Sequence, residues 1–285
     1  MRFGGNVLQY KDPSDWLRQV KEQGYTAIVC PVDYTADESL KTDFKKIILE
    51  NDLLVGEVGA WGNPMSTDEA KRRAAIAYCQ NQLALADEFG ANCCVNVSGA
   101  RTDTDDWSGC YAENFTADTY ALIVDTVREI IDAVHPINTF YTLEPMPWMF
   151  PDTPEIYLQL IKDIDRSHFG VHLDYTNMIN DPQKYANSSA YIRYMFAKLG
   201  KHIRSIHAKD VQMSGDIPCS IIECMPGKGS IDFNTVLRCA ARLGKDIPVF
   251  VEHLDTMEEI KQALDHLKGI VARENIAMDY IPEEV

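Results

Sequence analysis

The chain has 285 residues, 46% of them hydrophobic, and a formal net charge of −16. That length and apolar content suit one large core, while the acidity, with no basic stripe to offset it, argues against nucleic acid and anionic membrane surfaces as partners. No apolar run approaches the ~18 to 20 residues that a membrane span needs.

Strand-like and helix-like segments alternate from end to end. FGGNVLQ reads as the first strand and DPSDWLRQVKEQG as a helix stopped by Gly24. YTAIVCPV, LLVGEVGAW and NCCVNVSG follow as strands, separated by the helices DESLKTDFKKIILEND and TDEAKRRAAIAYCQNQLALADEFG, the second capped at Thr67 and ended by Gly90. A polar loop leads to the helix FTADTYALIVDTVREIIDAV. The second half continues with NTFYTLEP, HFGVHLD, IRSIHAKD and IPVFVEHL as strands five to eight, each followed by a helix, with loops expected over 175–187 and 211–230. Several strands are nearly continuous apolar runs, as when both faces of a parallel sheet are buried. Eight such units without a linker predict an α/β fold, a (β/α)8 TIM barrel forming one domain over 1–285. An open doubly wound sheet would carry its Gly-rich turn after the first strand, whereas here the glycine pair begins it.

The last four strands end on Glu144, Asp174, His207 and Glu252. In a barrel the carboxyl ends of the strands form the functional face, so these four are expected to converge on one divalent ion. Three carboxylates and an imidazole suit manganese first, with magnesium, cobalt or zinc as alternatives. Without a cation, three carboxylates in one pocket would repel one another and drive at least one pKa up. Taken singly, each residue is more simply read as a solvated loop carboxylate or a core histidine. Four consecutive strand ends of ligand type make the joint reading.

From Phe140 onward the chain resembles the xylose-isomerase-like barrel superfamily of sugar isomerases, epimerases and inosose dehydratases, through TLEP, HLDYTNM, IHAKD, PGKGSIDF and FVEH. The resemblance implies Glu144, Asp174, His207 and Glu252 as metal ligands, with Glu144 and Glu252 as the acid/base pair. HLDYTNMIND, HAKD and IECMPGKG also resemble the metal-bearing subunits of C-glycoside deglycosidases. Where the family's ketose 3-epimerases carry a substrate-binding histidine and an arginine, this chain has Asn177 and Met213. The deglycosidases' base, a histidine near the first ligand glutamate, has Thr142 in its place.

A proton beside a carbonyl is weakly acidic, so its removal needs a positioned base and stabilisation of the resulting negative charge. The expected function is therefore a metal-dependent isomerase or epimerase acting on a ketose or ketose phosphate. Its runner-up is a lyase or deglycosidase that eliminates from 3-oxo-glycosides or inososes. A phosphodiester endonuclease and a non-catalytic sugar-binding barrel are the readings of other classes. Lys209, Asn177, Trp148, Trp61 and His172 are the candidate substrate contacts, with Lys228 as a further phosphate candidate. The expected partners are a small carbohydrate and further copies of the chain in a dimer or tetramer, with a small second subunit if the protein is a deglycosidase. The eight cysteines show no C-x-x-C pair, and MRFGGNVLQY lacks the apolar core of a signal peptide, so a cytoplasmic location is expected.

Overall fold

The structure, a computed structural model, describes residues 1–244 and 246–278. In chain order it contains β1 (Arg2–Gly5), α1 (Pro13–Gln23), β2 (Ala27–Val29), α2 (Glu38–Glu50), β3 (Leu54–Gly59), α3 (Glu69–Phe89), β4 (Cys93–Asn96), α4 (Ala117–Val134), β5 (Tyr141–Leu143) and α5 (Pro154–Ile164). There follow β6 (Phe169–Asp174), α6 (Tyr175–Met178), α7 (Pro182–Ala186), α8 (Ser188–Leu199), β7 (Ile203–His207), β8 (Asp210–Met213), β9 (Ile221–Cys224), α9 (Phe233–Ala241), β10 (Pro248–Val251) and α10 (Met257–Arg273).

The helices form where stripe and caps agree. Asp12 accepts from the Asp15 amide, Pro13 opens α1, and Gly24 closes it at φ 64. The face thus set puts Trp16 into the core, edge-on to Phe44 with ring centroids 5.4 Å apart. At the other end of the chain Thr256 and Glu259 form a reciprocal capping box for α10. The α3 cap is Asp68, whose carboxylate accepts from the Ala70 and Lys71 amides, one residue after the threonine expected there.

Eight parallel strands lie in the order β1-β10-β7-β6-β5-β4-β3-β2. The ends of that order meet where the Thr26 amide donates to the Phe3 carbonyl at 2.9 Å and the Phe3 amide to Thr26 Oγ1 at 3.1 Å. A Cβ at Gly4 would lie 2.2 Å from the Ala27 carbonyl oxygen and 2.6 Å from the Phe250 ring. The opening glycine pair therefore serves close approach of β1 to β2, and the barrel, not the open sheet, is what these residues build.

Two expected loops carry structure. Residues 175–187 contain α6 and α7, and 211–230 contain β9 and most of β8, an antiparallel hairpin pairing Asp210 with Cys224 and Met213 with Ile221. All eight cysteines are free thiols. Among the described residues, no helix is long and apolar enough to cross a membrane.

Candidate functional site

Each of the four strand-end residues is delivered by its strand. The Glu144 amide continues the ladder one step past β5 by donating to the Asn96 carbonyl at 2.7 Å, which fixes the carboxylate at the barrel mouth. Asp174 ends β6 and caps α6: its Oδ1 accepts from the Thr176 amide (3.0 Å), the Thr176 hydroxyl (2.6 Å) and the Asn177 amide (3.2 Å). Its Oδ2 is thereby left to face the site. His207 closes β7, and Glu252 follows β10 directly. One donor atom from each of Glu144, Asp174, His207 and Glu252 lies within 4.8 Å of the other three.

Lys209 completes the cluster. Two residues beyond His207 on the same side of the chain, it is 3% exposed. Its Nζ stands 2.7 Å from Asp174 Oδ2, 2.5 Å from Glu252 Oε1 and 3.6 Å from Glu144 Oε1. Burial alone would discharge the ammonium, but Asp174, Glu252 and Glu144 outweigh it and hold its pKa well above the ordinary lysine value. Burial likewise pushes Glu252 up, and His207 with Lys209 reverses this, bringing the carboxyl down to about 2. The carboxylates need positive charge, and Lys209 supplies part of it.

The donor set also fits a metal ion. His207 Nδ1 stands 2.6 Å from Glu252 Oε1, yet neither atom, nor Asp174 Oδ2, makes a well-directed hydrogen bond although all three are buried. Close approach without hydrogen-bond direction is what donor atoms aimed at a common point produce. Three oxygens and one nitrogen suit a hard to borderline divalent cation.

Above this cluster opens a cavity of about 510 Å³. Trp61, Trp148, Asn177 and Lys209 line it, and Trp107, Met146 and Val97 extend an apolar wall. Asn177 donates to Glu144 Oε1 at 3.1 Å. Glu223, brought in by β9, pairs with His253 at 2.9 Å on the same rim. His172 does not line the cavity; it is fully buried one layer below. Lys228 is not among the lining residues either. Asp210 turns the opposite way from Lys209, and its carboxylate receives the Val211, Gly227, Gly229 and Ile231 amides at 2.8–3.0 Å.

Residues 17–270 match the family model of the xylose isomerase-like TIM barrel. The chain belongs to that family. Among solved xylose isomerase-like barrels, one from Mycobacterium smegmatis, in complex with magnesium, is 18% identical, with a TM-score of 0.67 over 92% of this chain and 90% of its own. D-psicose 3-epimerase of Clostridium cellulolyticum, solved with D-tagatose, is 16% identical with a TM-score of 0.69, covering 95% and 99% of the two chains. The 3-keto-D-glucoside 4-epimerase of E. coli is 15% identical with a TM-score of 0.66, covering 94% and 99%. At these identities the likeness is one of fold.

Within this xylose isomerase-like barrel, one buried acid escaped the sequence reading. Glu57, on β3, is 3% exposed and reaches His207 Nε2 at 3.3 Å and His172 Nδ1 at 3.2 Å. Burial would push its carboxyl up, but the His207 and His172 imidazoles outweigh burial and hold it below the usual range. In sequence it is a lone glutamate inside an apolar strand, and its partners lie 115 to 150 positions away, so nothing local marked it.

Proposed function

We propose that this barrel is a divalent-metal-dependent isomerase or epimerase that moves a proton at the carbon beside the carbonyl of a neutral, sugar-like polyol ketone. The observation that carries the reading is the convergence of three carboxylates and His207 at the floor of an aromatic-walled cavity. Glu144, Asp174, His207 and Glu252 would hold the ion, which supplies Lewis acidity to a carbonyl oxygen and a neighbouring hydroxyl.

The chain's own groups do the rest. Glu144 and Glu252 follow β5 and β10, the outer two of four adjacent strands, so a substrate seated between them meets one carboxylate from each side. One removes the proton and the other returns one. Asn177 fixes the Glu144 carboxylate through its 3.1 Å hydrogen bond. Lys209 offers its N–H groups to a substrate oxygen at the same depth. Trp61, Trp107 and Trp148 present apolar faces on which sugar C–H groups stack and from which water is excluded.

The lining favours an unphosphorylated substrate. Its basic side chains among the described residues are His207, Lys209 and His253, and all three are already paired with carboxylates. A phosphate dianion would face indoles and Glu223. The magnesium complex and the ketose and keto-glucoside epimerases among the fold neighbours support the same chemistry.

The test is hydrogen exchange. Protein stripped with a chelator and reloaded with Mn²⁺ is incubated in deuterated water with free ketoses, their phosphate esters and 3-oxo-glycosides. We expect deuterium at the carbon beside the carbonyl of a neutral substrate, abolished by chelation and by Glu252→Gln. No incorporation across the panel overturns the reading. Release of an aglycone with the incorporation would assign elimination instead.

A further inference from the structure

We propose that Glu57 is the positioning residue of the site: reaching across the barrel, it holds the His207 imidazole in the tautomer that turns the Nδ1 lone pair toward the ion. The proposal takes the metal reading as given and adds a residue that acts on it through His207.

The geometry starts with the strand order. β3 and β7 stand four places apart among eight strands, on opposite sides of the barrel, so the Glu57 side chain must cross the interior to meet His207. There its Oε2 lies 3.3 Å from His207 Nε2 in hydrogen-bond geometry. Its Oε1 receives the hydroxyl of Ser205 in a short hydrogen bond. Ser205 precedes His207 by two residues on the same strand and so shares its face. His172 closes the remaining side: its ring is edge-on to His207, with centroids 4.0 Å apart at 77°.

A carboxylate only accepts hydrogen bonds. His207 must therefore carry its proton on Nε2, and the proton on one nitrogen leaves the other as the ligand. That other nitrogen, Nδ1, is the one that stands 2.6 Å from Glu252 Oε1 and 3.7 Å from Glu144 Oε1. His172 Nδ1, at 3.2 Å from Glu57 Oε1, makes no well-directed hydrogen bond. Of the two histidines, His207 is thus the one that Glu57 orients. The charge has a second effect, since a carboxylate accepting the far N–H makes the imidazole a more basic ligand. Glu57, His172 and His207 also lie close enough together to be a cation site in their own right. In that case His207 would bridge two ions.

The experiment compares wild type and Glu57→Gln, which keeps the shape of the side chain but offers either a donor or an acceptor to Nε2. Mn²⁺ affinity and stoichiometry are read by titration calorimetry, and the His207 tautomer by histidine-labelled NMR of the Zn²⁺-loaded protein. We expect one ion per wild-type chain, an Nε2–H signal on His207, and a loss of roughly 10- to 100-fold in affinity on substitution. An unchanged affinity, ligation through Nε2, or two ions per chain overturns the proposal. Should Glu57→Gln fail to fold, Ser205→Ala decides: it frees one Glu57 oxygen, and a several-fold loss of affinity is expected where no loss refutes. A wild-type chain that binds no divalent ion removes the proposed function itself, which separates that failure from this one.

Discussion

Lys209 shows how far one side chain sets the character of this site. Its ammonium touches Asp174 and Glu252 at 2.7 and 2.5 Å in a region closed to solvent, where removing one partner of a buried ion pair costs about 3–5 kcal/mol. The same charge repels an incoming divalent ion, by roughly 8 kcal/mol at 4 Å in a medium of moderate polarity. Lys209→Met should therefore unfold at a clearly lower temperature than wild type without metal, yet bind Mn²⁺ at least tenfold more tightly. Thermal unfolding with and without the ion reads both effects, and an equal loss in the two states would show that Lys209 acts by packing alone. The sequence made Lys209 and the four strand-end residues legible because each closes an apolar run. It could not show that Lys209 is shared among three carboxylates, because that depends on how Glu144, Asp174 and Glu252 are brought together from three other strands.

At the scale of the element, the hairpin of β8 and β9 is the feature that local pattern did not reveal. Its strands are short and half-exposed, so neither alternation nor a continuous apolar run marks them. What folds it is Asp210, buried to 1% and receiving four backbone amides from Val211 to Ile231. The PGKGS turn wraps that carboxylate: Gly227 adopts φ 90, and a Cβ on Gly229 would stand 2.2 Å from Asp210 Oδ1. The PGKGS turn is therefore an anion-centred one, and its ligand is the chain's own side chain. The hairpin in turn carries Glu223 to the cavity rim. Asp210→Asn replaces one accepting oxygen by an amide that faces donors, a change of about 1.5–3 kcal/mol for a charged hydrogen bond. We expect a lower Tm and faster proteolysis within 211–230, with Mn²⁺ affinity within threefold of wild type because the Asp210 carboxylate is taken up by backbone amides and is not among the four candidate donors. A full loss of metal binding would place the hairpin inside the site rather than above it.

At the scale of the molecule, the barrel divides into a half that carries the donor atoms and a half that closes around them. Glu144, Asp174, His207 and Glu252 come from β5, β6, β7 and β10, four consecutive positions in the sheet. The first four strands contribute closure at Gly4, the indole of Trp61 and the carboxylate of Glu57. This is why sequence motifs were legible from Phe140 onward while the first half was legible only as alternation: its contributions are steric or reach across the interior. An ion at the four residues would tie the adjacent strands of the second half together, and it can do so only when the barrel is formed. Binding to the native state alone adds about 2.7 kcal/mol at a free ion concentration 100-fold above Kd. For a domain of this size each kcal/mol moves Tm by roughly 2–4 °C. Adding Mn²⁺ to chelator-stripped protein should accordingly raise Tm by roughly 5–10 °C, and Glu144→Gln should shrink that rise by half or more. Calorimetric scans with Mn²⁺, Mg²⁺, Co²⁺ and Zn²⁺ rank the ions on the same scale. A Tm indifferent to all four would falsify the metal centre, because donor atoms supplied by four separate strands cannot bind an ion without stabilising the barrel that aligns them.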